Sequence, residues 1–176
     1  MNSPYNGDFY VSNLYTRGYH DGLDLVGVTS KDIHSTVKGT VCYSGWENPD
    51  NHSQGFGLYV CIRFTSGVKD LYAYFGHLKS TNVETGNNVK IGDIIGIEGS
   101  TGLSTGSHCH YEIRDAFFKG ANVIDPCNFS GIKNTLNILQ NDGYLERMKN
   151  MTNSYNIPEN CKITKTPNKN EIIITW

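Results

Sequence analysis

Two histidines, His108 and His110, stand two residues apart in a segment whose neighbours predict a β-strand. Side chains alternate across a strand, so the two imidazoles share one face, with their Cα atoms roughly 6.6 Å apart. One imidazole of such a pair can bind a metal ion while the other carries a proton. Cys109, between them, points to the opposite face and is expected to pack in the core.

A second pair of candidate ligands, His20 and Asp24, lies on either side of Gly22. Four residues of regular strand span about 13 Å, too far for both side chains to reach one zinc ion over bonds of about 2.0–2.2 Å. The backbone must therefore bend, and glycine permits the bend. These two residues and one histidine of the first pair would leave a fourth zinc position for water, which is the catalytic arrangement.

Zinc lowers the pKa of its water and polarises a carbonyl, so the expected chemistry is hydrolysis, most simply of an amide. His77 ends another predicted strand. We expect His77 and the remaining histidine of the pair to accept the proton of water, bind the oxyanion and protonate the leaving amine. His34 and His52 have no comparable partners and are interpreted as surface or packing residues.

The elements that must position these residues are predicted to be strands. Short segments rich in Val, Ile, Tyr and Phe alternate with turn residues, which indicates an all-β domain over residues 1–130. We predict strands at residues 23–26, 36–44, 57–64, 69–77, 94–98 and 108–114. Residues 46–55 form a long polar loop that either lines the site or is a mobile surface excursion.

The remainder, residues 131–176, is predicted to be a C-terminal extension without an assigned function. Ile132, Leu136 and Leu139, and then Tyr144 to Met151, show apolar spacing typical of two short helices. Residues 162–165 and 171–176 resemble a hairpin.

Composition argues against several partners. The net charge is −2, and no basic stripe interleaved with aromatic residues is present, so nucleic acid is not expected. No apolar run reaches the roughly 18 residues of a membrane span, and the first residues lack the pattern of a signal peptide. Five widely spaced cysteines without a CxxC pair predict neither a disulfide framework nor a thiolate zinc site.

Three motifs in this order resemble the lysostaphin-type, LytM-like zinc endopeptidases of bacterial peptidoglycan, and the resemblance covers residues 3–126. They are His20-x-Gly22-x-Asp24, Phe75-x-His77-Leu78, and the glycine-rich segment from Gly96 to Gly106 that leads into His108-x-His110-Tyr111-Glu112-Ile113. Phe75 stands where the family usually has tyrosine. Ser107 and Cys109 replace a common proline and leucine.

The resemblance implies that His20, Asp24 and His110 bind one zinc ion and that His77 and His108 are the catalytic histidines. It also implies a small antiparallel β-sheet or sandwich of the duplicated hybrid motif type, with a groove for an extended peptide. The loop at residues 46–55 would form one wall of that groove. Four aromatic residues are predicted near it: Tyr43, Trp46, Phe56 and Tyr74.

The implied function is zinc-dependent cleavage of the peptide stems or cross-bridges of peptidoglycan, at the bacterial cell wall. The absence of a signal peptide pattern favours a phage lysin or a tail-associated hydrolase, with a phage tail or other modules of a longer protein as partners. Two alternatives stay open. One is a catalytically silent domain that binds wall peptides or a partner protein, and the other is a zinc carboxypeptidase that releases D-alanine.

Overall fold

The computed structural model describes residues 3–118, 120–144, 147, 150, 162–165 and 172–175, the last two segments as backbone only. The chain forms two compact units, Met1–Tyr144 and Leu145–Trp176. In the second unit, β13 (Lys162–Lys165) pairs antiparallel with β14 (Ile172–Thr175); the turn of the predicted hairpin lies outside the described residues. None of the helices in the described part of the chain has the length and apolar character needed to cross a membrane.

Almost all of the regular secondary structure in the first unit is short β-strand. They are β1 (Gly7–Asn13), β2 (Leu23–Gly27), β3 (Asp32–His34), β4 (Gly39–Trp46), β5 (Leu58–Ser66), β6 (Lys69–Gly76), β7 (Ser80–Thr81), β8 (Asn88–Val89), β9 (Ile94–Ile97), β10 (Cys109–Arg114), β11 (Val123–Ile124) and β12 (Leu139–Asp142). A single 3-10 turn, Pro126–Asn128, follows β11 in the described residues.

Nine of these strands form one sheet in the order β12-β1-β2-β10-β6-β5-β4-β8, with β11 paired to β10. A smaller sheet has the order β3-β9-β7. The named strands pair antiparallel throughout the described residues. The all-β, antiparallel fold predicted from the sequence is therefore confirmed.

Alternation along the central strands separates a core face from a second face that carries polar and aromatic side chains. The core side carries apolar residues that are at most 4% exposed: Leu23 and Leu25 of β2, Val60 and Ile62 of β5, Leu71, Ala73 and Phe75 of β6, and Cys109, Tyr111 and Ile113 of β10. Ile33 and Ile95 of the small sheet are buried in the same cluster. Cys109 thus packs in the core, as its position between two histidines predicted.

A two-residue turn fixes the register of β5 against β6. Ser66 pairs with Lys69, and Gly67 at the first turn position has a φ of 63°. Positive φ at that position is typical of the primed turns that match the twist of a hairpin, and glycine adopts it without steric cost.

The helix predicted over residues 132–139 was wrong. Leu139–Asp142 is a strand that pairs with β1, and Val11 forms a bridge with Leu136. Pairing with the edge of the large sheet satisfies the backbone there, which outweighs the helical spacing of the apolar residues. The second predicted helix, residues 144–151, lies largely outside the described residues. The first compact unit continues past the predicted boundary at residue 130.

Glu98, immediately after β9, is a buried carboxylate that ties several segments together. Its Oε2 accepts hydrogen bonds from the Tyr5 hydroxyl at 2.6 Å and the Gly27 amide at 2.9 Å. Its Oε1 accepts from Lys31 Nζ at 2.7 Å and from Ser107 Oγ at 2.6 Å. With 3% of its surface exposed, Glu98 depends on these four donors, and it anchors the residue that precedes His108.

We expect Glu98→Gln to lower the free energy of unfolding at pH 7 by about 2–4 kcal/mol, because it removes the charge that Lys31 pairs with and leaves donors unmatched. Burial alone would raise the pKa of Glu98, but hydrogen bonds from Lys31 and Ser107 lower it. The stabilisation is therefore present above the unfolded pKa of about 4.3 and lost as the pH falls through the folded pKa.

Urea unfolding from pH 7 down to pH 3 measures this contribution. The difference in the free energy of unfolding between wild type and Glu98→Gln should decrease as the pH is lowered from 7 to 3. Glu84→Gln, at an exposed position, is the matched control and should leave the midpoint unchanged. A constant difference across the pH range would contradict the role of the ionised carboxylate.

Candidate active site

Strand pairing brings the candidate residues of three segments side by side. In β10, His110 pairs with Asp24 of β2 on one side and with Gly76 of β6 on the other. His77 follows Gly76 directly, and His20 precedes β2 in a loop closed by a bridge to Thr16. All five sequence-predicted site residues line one cleft of about 630 Å³.

Asp24 occupies the centre of the cluster. Its Oδ1 lies 2.8 Å from His110 Nδ1, 3.2 Å from His20 Nε2 and 3.5 Å from His108 Nε2. Burial would raise the pKa of Asp24, but the hydrogen bonds with His110 and His20 lower it far below the usual range of a carboxyl. The carboxylate is thus ionised and faces three imidazoles.

The donor atoms of His20, Asp24 and His110 fit a metal ion. They lie within 4.8 Å of one another and supply two nitrogens and one carboxylate oxygen, a set that zinc favours. His20 Nδ1 is 2.8 Å from the Leu14 carbonyl, which leaves Nε2 for the cluster. On His110 the roles are reversed, since Nε2 is 3.1 Å from Glu112 Oε2 and Nδ1 faces Asp24. Such outer hydrogen bonds orient metal-binding imidazoles.

Glu112 and Arg114 extend the network away from the cluster. Both lie on the same face of β10 as His110, because the three residues are spaced by two. Glu112 is 1% exposed and pairs with Arg114 Nε as well as with His110. Burial lowers the pKa of His110, but the hydrogen bonds to Asp24 and Glu112 raise it to about 9. Two buried carboxylates around one imidazole make this end of the cleft favourable for a cation.

His77 and His108 stand opposite the ligand set, with ring centroids 4.7 Å apart. His77 Nδ1 is 2.7 Å from the Thr101 carbonyl, and His108 Nδ1 is 2.8 Å from the Gly106 carbonyl. A carbonyl only accepts, so each Nδ1 carries the hydrogen and each Nε2 is left to act in the cleft. Burial lowers the pKa of His77 to about 4.

The backbone of His77 is unusual, since a φ of 61° places a non-glycine residue in the left-handed region. The amide of His77 donates to the Phe56 carbonyl at 2.8 Å, and the next amide, of Leu78, donates to the Leu58 carbonyl at 2.9 Å. These bonds and the imidazole contact with Thr101 hold the conformation. Such strain is often found where a side chain must be aimed at a site.

Aromatic residues and two loops form the rest of the cleft. The lining includes Glu47 and Gly55 from the loop at residues 46–55, the aromatic residues Phe56, Tyr59, Tyr74, Phe117 and Phe118, and Leu103 to Thr105 from the glycine-rich segment. The Arg114 guanidinium lies 4.9 Å from the centre of the Tyr74 ring and 5.4 Å from that of Phe56. Because Glu47 and Gly55 line the cleft, the loop at residues 46–55 forms part of the cleft wall, which is one of the two possibilities expected from the sequence.

Two of the four predicted aromatic residues, Phe56 and Tyr74, line the cleft, whereas Tyr43 and Trp46 do not. Tyr43 stacks behind Tyr59 at 4.7 Å, and Trp46 stacks on the His52 ring at 3.5 Å. Tyr59, which the sequence analysis missed, also lines the cleft. It lies on the same strand face as Cys61, which pairs with Tyr74 of the neighbouring strand, so finding it requires the strand register as well as alternation.

The residues interpreted as packing or surface groups lie away from the cluster. His34 is 5% exposed and contacts the Gly92 carbonyl at 2.9 Å, and His52 is on the exposed loop.

Phe75 is buried against Tyr111, at 5.4 Å between ring centres. A tyrosine hydroxyl at position 75 would therefore enter the core rather than the cleft.

Comparison with known proteins identifies the domain that carries this cluster. A model described as peptidase family M23 matches residues 18–126, which contain all five residues. The chain belongs to this family. Members of family M23 are zinc metallopeptidases, so the expectation of zinc as the cofactor is confirmed at the level of the family.

Several characterised M23 proteins are similar to this chain. The DD-carboxypeptidase/endopeptidase Mpg of Neisseria meningitidis serogroup B is 37% identical over 101 residues, 57% of this chain and 21% of Mpg. Lysostaphin of Staphylococcus simulans is 31% identical over 112 residues, 64% of this chain and 21% of lysostaphin. The chain thus spans about a fifth of the length of these relatives.

Solved M23 structures match the fold. The catalytic domain of the prophage-encoded M23 protein EnpA of Enterococcus faecalis, crystallised as a point mutant, has a TM-score of 0.58 at 28% identity, covering 72% of this chain and 95% of that domain. The catalytic domain of lysostaphin from Staphylococcus simulans has a TM-score of 0.55 at 29% identity, covering 69% of this chain and 90% of that domain.

Gly22 provides a test of how closely this M23 site is packed. A Cβ at position 22 would lie 2.6 Å from His110 Nε2 and 2.7 Å from the Tyr111 carbonyl oxygen. We expect Gly22→Ala to displace the His110 ring and to weaken zinc affinity by about 10- to 100-fold, the usual effect of disturbing an outer-shell contact.

Competition with a fluorescent zinc chelator measures that affinity. Gly106→Ala is the matched control, because a Cβ there meets nothing within 4 Å. Equal zinc affinity in both variants, with unchanged circular dichroism, would show that zinc binding does not require the space that Gly22 leaves beside His110.

Proposed function

We propose that this domain hydrolyses peptide bonds of bacterial peptidoglycan, with His20, Asp24 and His110 as zinc ligands and His77 and His108 as catalytic residues. The observation that carries the proposal is the division of roles in one cleft. Three donor atoms converge within 4.8 Å, and two further imidazoles present Nε2 beside them. Membership of a zinc metallopeptidase family supports the assignment.

Zinc bound by the three ligands supplies a Lewis acid that polarises the scissile carbonyl and makes a water molecule acidic near neutral pH. The chain supplies the proton transfers. In the neutral form with hydrogen on Nδ1, His77 Nε2 and His108 Nε2 are acceptors within the cleft. Either can take a proton from water and, once charged, donate it to the leaving amine nitrogen or bind the oxyanion.

The carbonyls of Thr101 and Gly106 each accept a hydrogen bond from Nδ1 of one imidazole, whether or not Nε2 of that ring carries a proton. They also fix the ring orientation before substrate arrives. Asp24 Oδ1 lies 3.5 Å from His108 Nε2, so this imidazole is beside the candidate ligand set.

The cleft fits an extended peptide. Its aromatic floor, formed by Phe56, Tyr59 and Tyr74, is flanked by the loop that contains Glu47 and by the segment with Phe117 and Phe118. We propose cleavage within a stem or cross-bridge. The name of one relative, the glycyl-glycine endopeptidase ALE-1 of Staphylococcus capitis, supports an endopeptidase.

A D-alanyl carboxypeptidase is the second candidate, because Mpg carries both activities in its name. A silent binding domain is disfavoured, since the ligand set and both additional histidines are present. We place the action at the cell wall. Delivery by a phage, as a lysin or with a tail, is supported by the similarity to prophage-encoded EnpA.

Zinc content and turnover should separate the two groups of residues. His110→Ala should no longer bind stoichiometric zinc and should therefore lose activity. Removing zinc from the wild type with a chelator should cause the same loss of activity. His77→Ala and His108→Ala should keep zinc but lower kcat by about 100- to 10,000-fold, the usual contribution of a general acid or base.

Elemental analysis measures the bound zinc, and turbidity clearing of purified cell walls measures the activity. His52→Gln, on the exposed loop, is the control and should retain both zinc and activity. Clearing that persists in His110→Ala or in chelator would overturn the zinc mechanism.

Mass spectrometry of digests from walls of several chemotypes tests the bond that is cut. For at least one chemotype, we expect two peptide fragments whose new termini come from within a stem or cross-bridge. We expect no release of free D-alanine. Free D-alanine as the main product would instead establish the carboxypeptidase. Stoichiometric zinc without products from any wall would favour the binding domain.

A further inference from the structure

Cys42 and Cys61 bring two thiols together on the face of the sheet that also forms the cleft. Their Sγ atoms are 3.2 Å apart, and Cys42 Sγ is 3.3 Å from the Cys61 carbonyl oxygen. Cys61 is fully buried, and Cys42 is half-buried. The four cysteines within the described residues are all free thiols.

A β-bulge creates this contact. Val41 pairs with Ile62 and Tyr43 with Cys61, so Cys42 is the extra residue opposite Cys61. In regular alternation Cys42 would face away from its neighbour Tyr43. A bulge allows two consecutive residues to oppose one partner, and both can then face the same side. Residues that oppose each other on antiparallel strands have Cα atoms about 4.5–5.5 Å apart, which suits a disulfide.

The surroundings of the pair are aromatic and belong to the cleft. Cys61 forms a small cluster with Tyr59 and Tyr74, both of which line the cleft, and Cys42 and Tyr43 pack against it. The pair lies apart from the zinc ligands, because β4 and β5 are separated from β10 by β6.

We propose that Cys42 and Cys61 form a reversible disulfide beneath the aromatic floor of the cleft when the protein meets a disulfide oxidant. The inference rests on the thiol contact and the bulge, and it does not depend on the proposed hydrolysis.

The exchange proceeds in two steps with a low-molecular-weight disulfide such as oxidised glutathione. The Cys42 thiolate, the more accessible of the two, attacks one sulfur of the oxidant, forms a mixed disulfide and displaces one thiol. Cys61 then attacks Cys42 and displaces the second thiol. The two cysteines lose two electrons and two protons, and the oxidant becomes two thiols. The contact with Cys61 lowers the pKa of Cys42, whereas burial raises that of Cys61, in agreement with this order.

The experiment uses the full chain, fully reduced and then equilibrated in glutathione buffers of increasing oxidised fraction. Free thiols are counted after denaturation, and non-reduced peptides are mapped by mass spectrometry. We expect the count to fall by two from the five of the sequence, with a Cys42–Cys61 cross-linked peptide that dithiothreitol removes. The oxidised protein should melt about 5–10 °C higher than the reduced one.

Cys42→Ser should abolish the cross-link and the rise in melting temperature, and it avoids altering the fully buried Cys61. Cys127→Ser, at another half-buried thiol, is the matched control and should retain both. A constant thiol count across the series, or glutathione attached to Cys42 without a cross-link, would overturn the proposal. Neither readout requires wall hydrolysis or zinc, so the result is independent of the proposed function.

Discussion

The register of β10 between β2 and β6 is the constraint on which the site depends. His110 lies opposite Asp24 on one side and Gly76 on the other, so one position in the sheet sets the distance between two candidate ligands and the start of the segment with His77. A shift of one residue would turn His108, His110 and Glu112 into the core and bring Cys109 and Tyr111 into the cleft. The fully buried apolar residues of β10 oppose that shift.

Buried charge is the second organising feature. Asp24 and Glu112 surround His110, and Glu98, near the start of the glycine-rich segment, accepts a hydrogen bond from Ser107, just after the end of that segment. Each carboxylate is satisfied by several donors, as buried charges must be. Arg114 completes the series by pairing with Glu112 while its guanidinium covers Tyr74. Polar contacts thus connect the metal-binding end of the cleft to its aromatic floor.

Much of the fold and of the candidate site could be predicted from the sequence, because strand alternation is local. The spacing of His108 and His110 placed two imidazoles on one face and Cys109 in the core. The same rule applied two and four residues further would have found Glu112 and Arg114. Gly22 was predicted to permit a bend, but its position against His110 shows that absence of a side chain also matters there.

Long-range pairing explains the errors. Leu139–Asp142 has apolar neighbours at helical spacing, yet it becomes a strand because the edge of β1 offers backbone partners that local sequence does not reveal. The sequence did not identify Glu98 as a buried carboxylate, since its donors come from three distant parts of the chain: Tyr5, residues 27–31 and Ser107. Tyr43 and Trp46 were predicted near the groove but do not line the cleft; Tyr43 packs on Tyr59 and Trp46 packs on His52.

Two of the three candidate ligands lie on strands, whereas much of the cleft wall is formed by segments that connect strands. Asp24 and His110 project from paired strands, whereas Glu47, Gly55, Phe117 and Phe118 come from connecting segments. Insertions or deletions in those connections would change the contour of the cleft without shifting the two strands that carry Asp24 and His110. The shape of the cleft can therefore vary separately from the spacing of these two side chains.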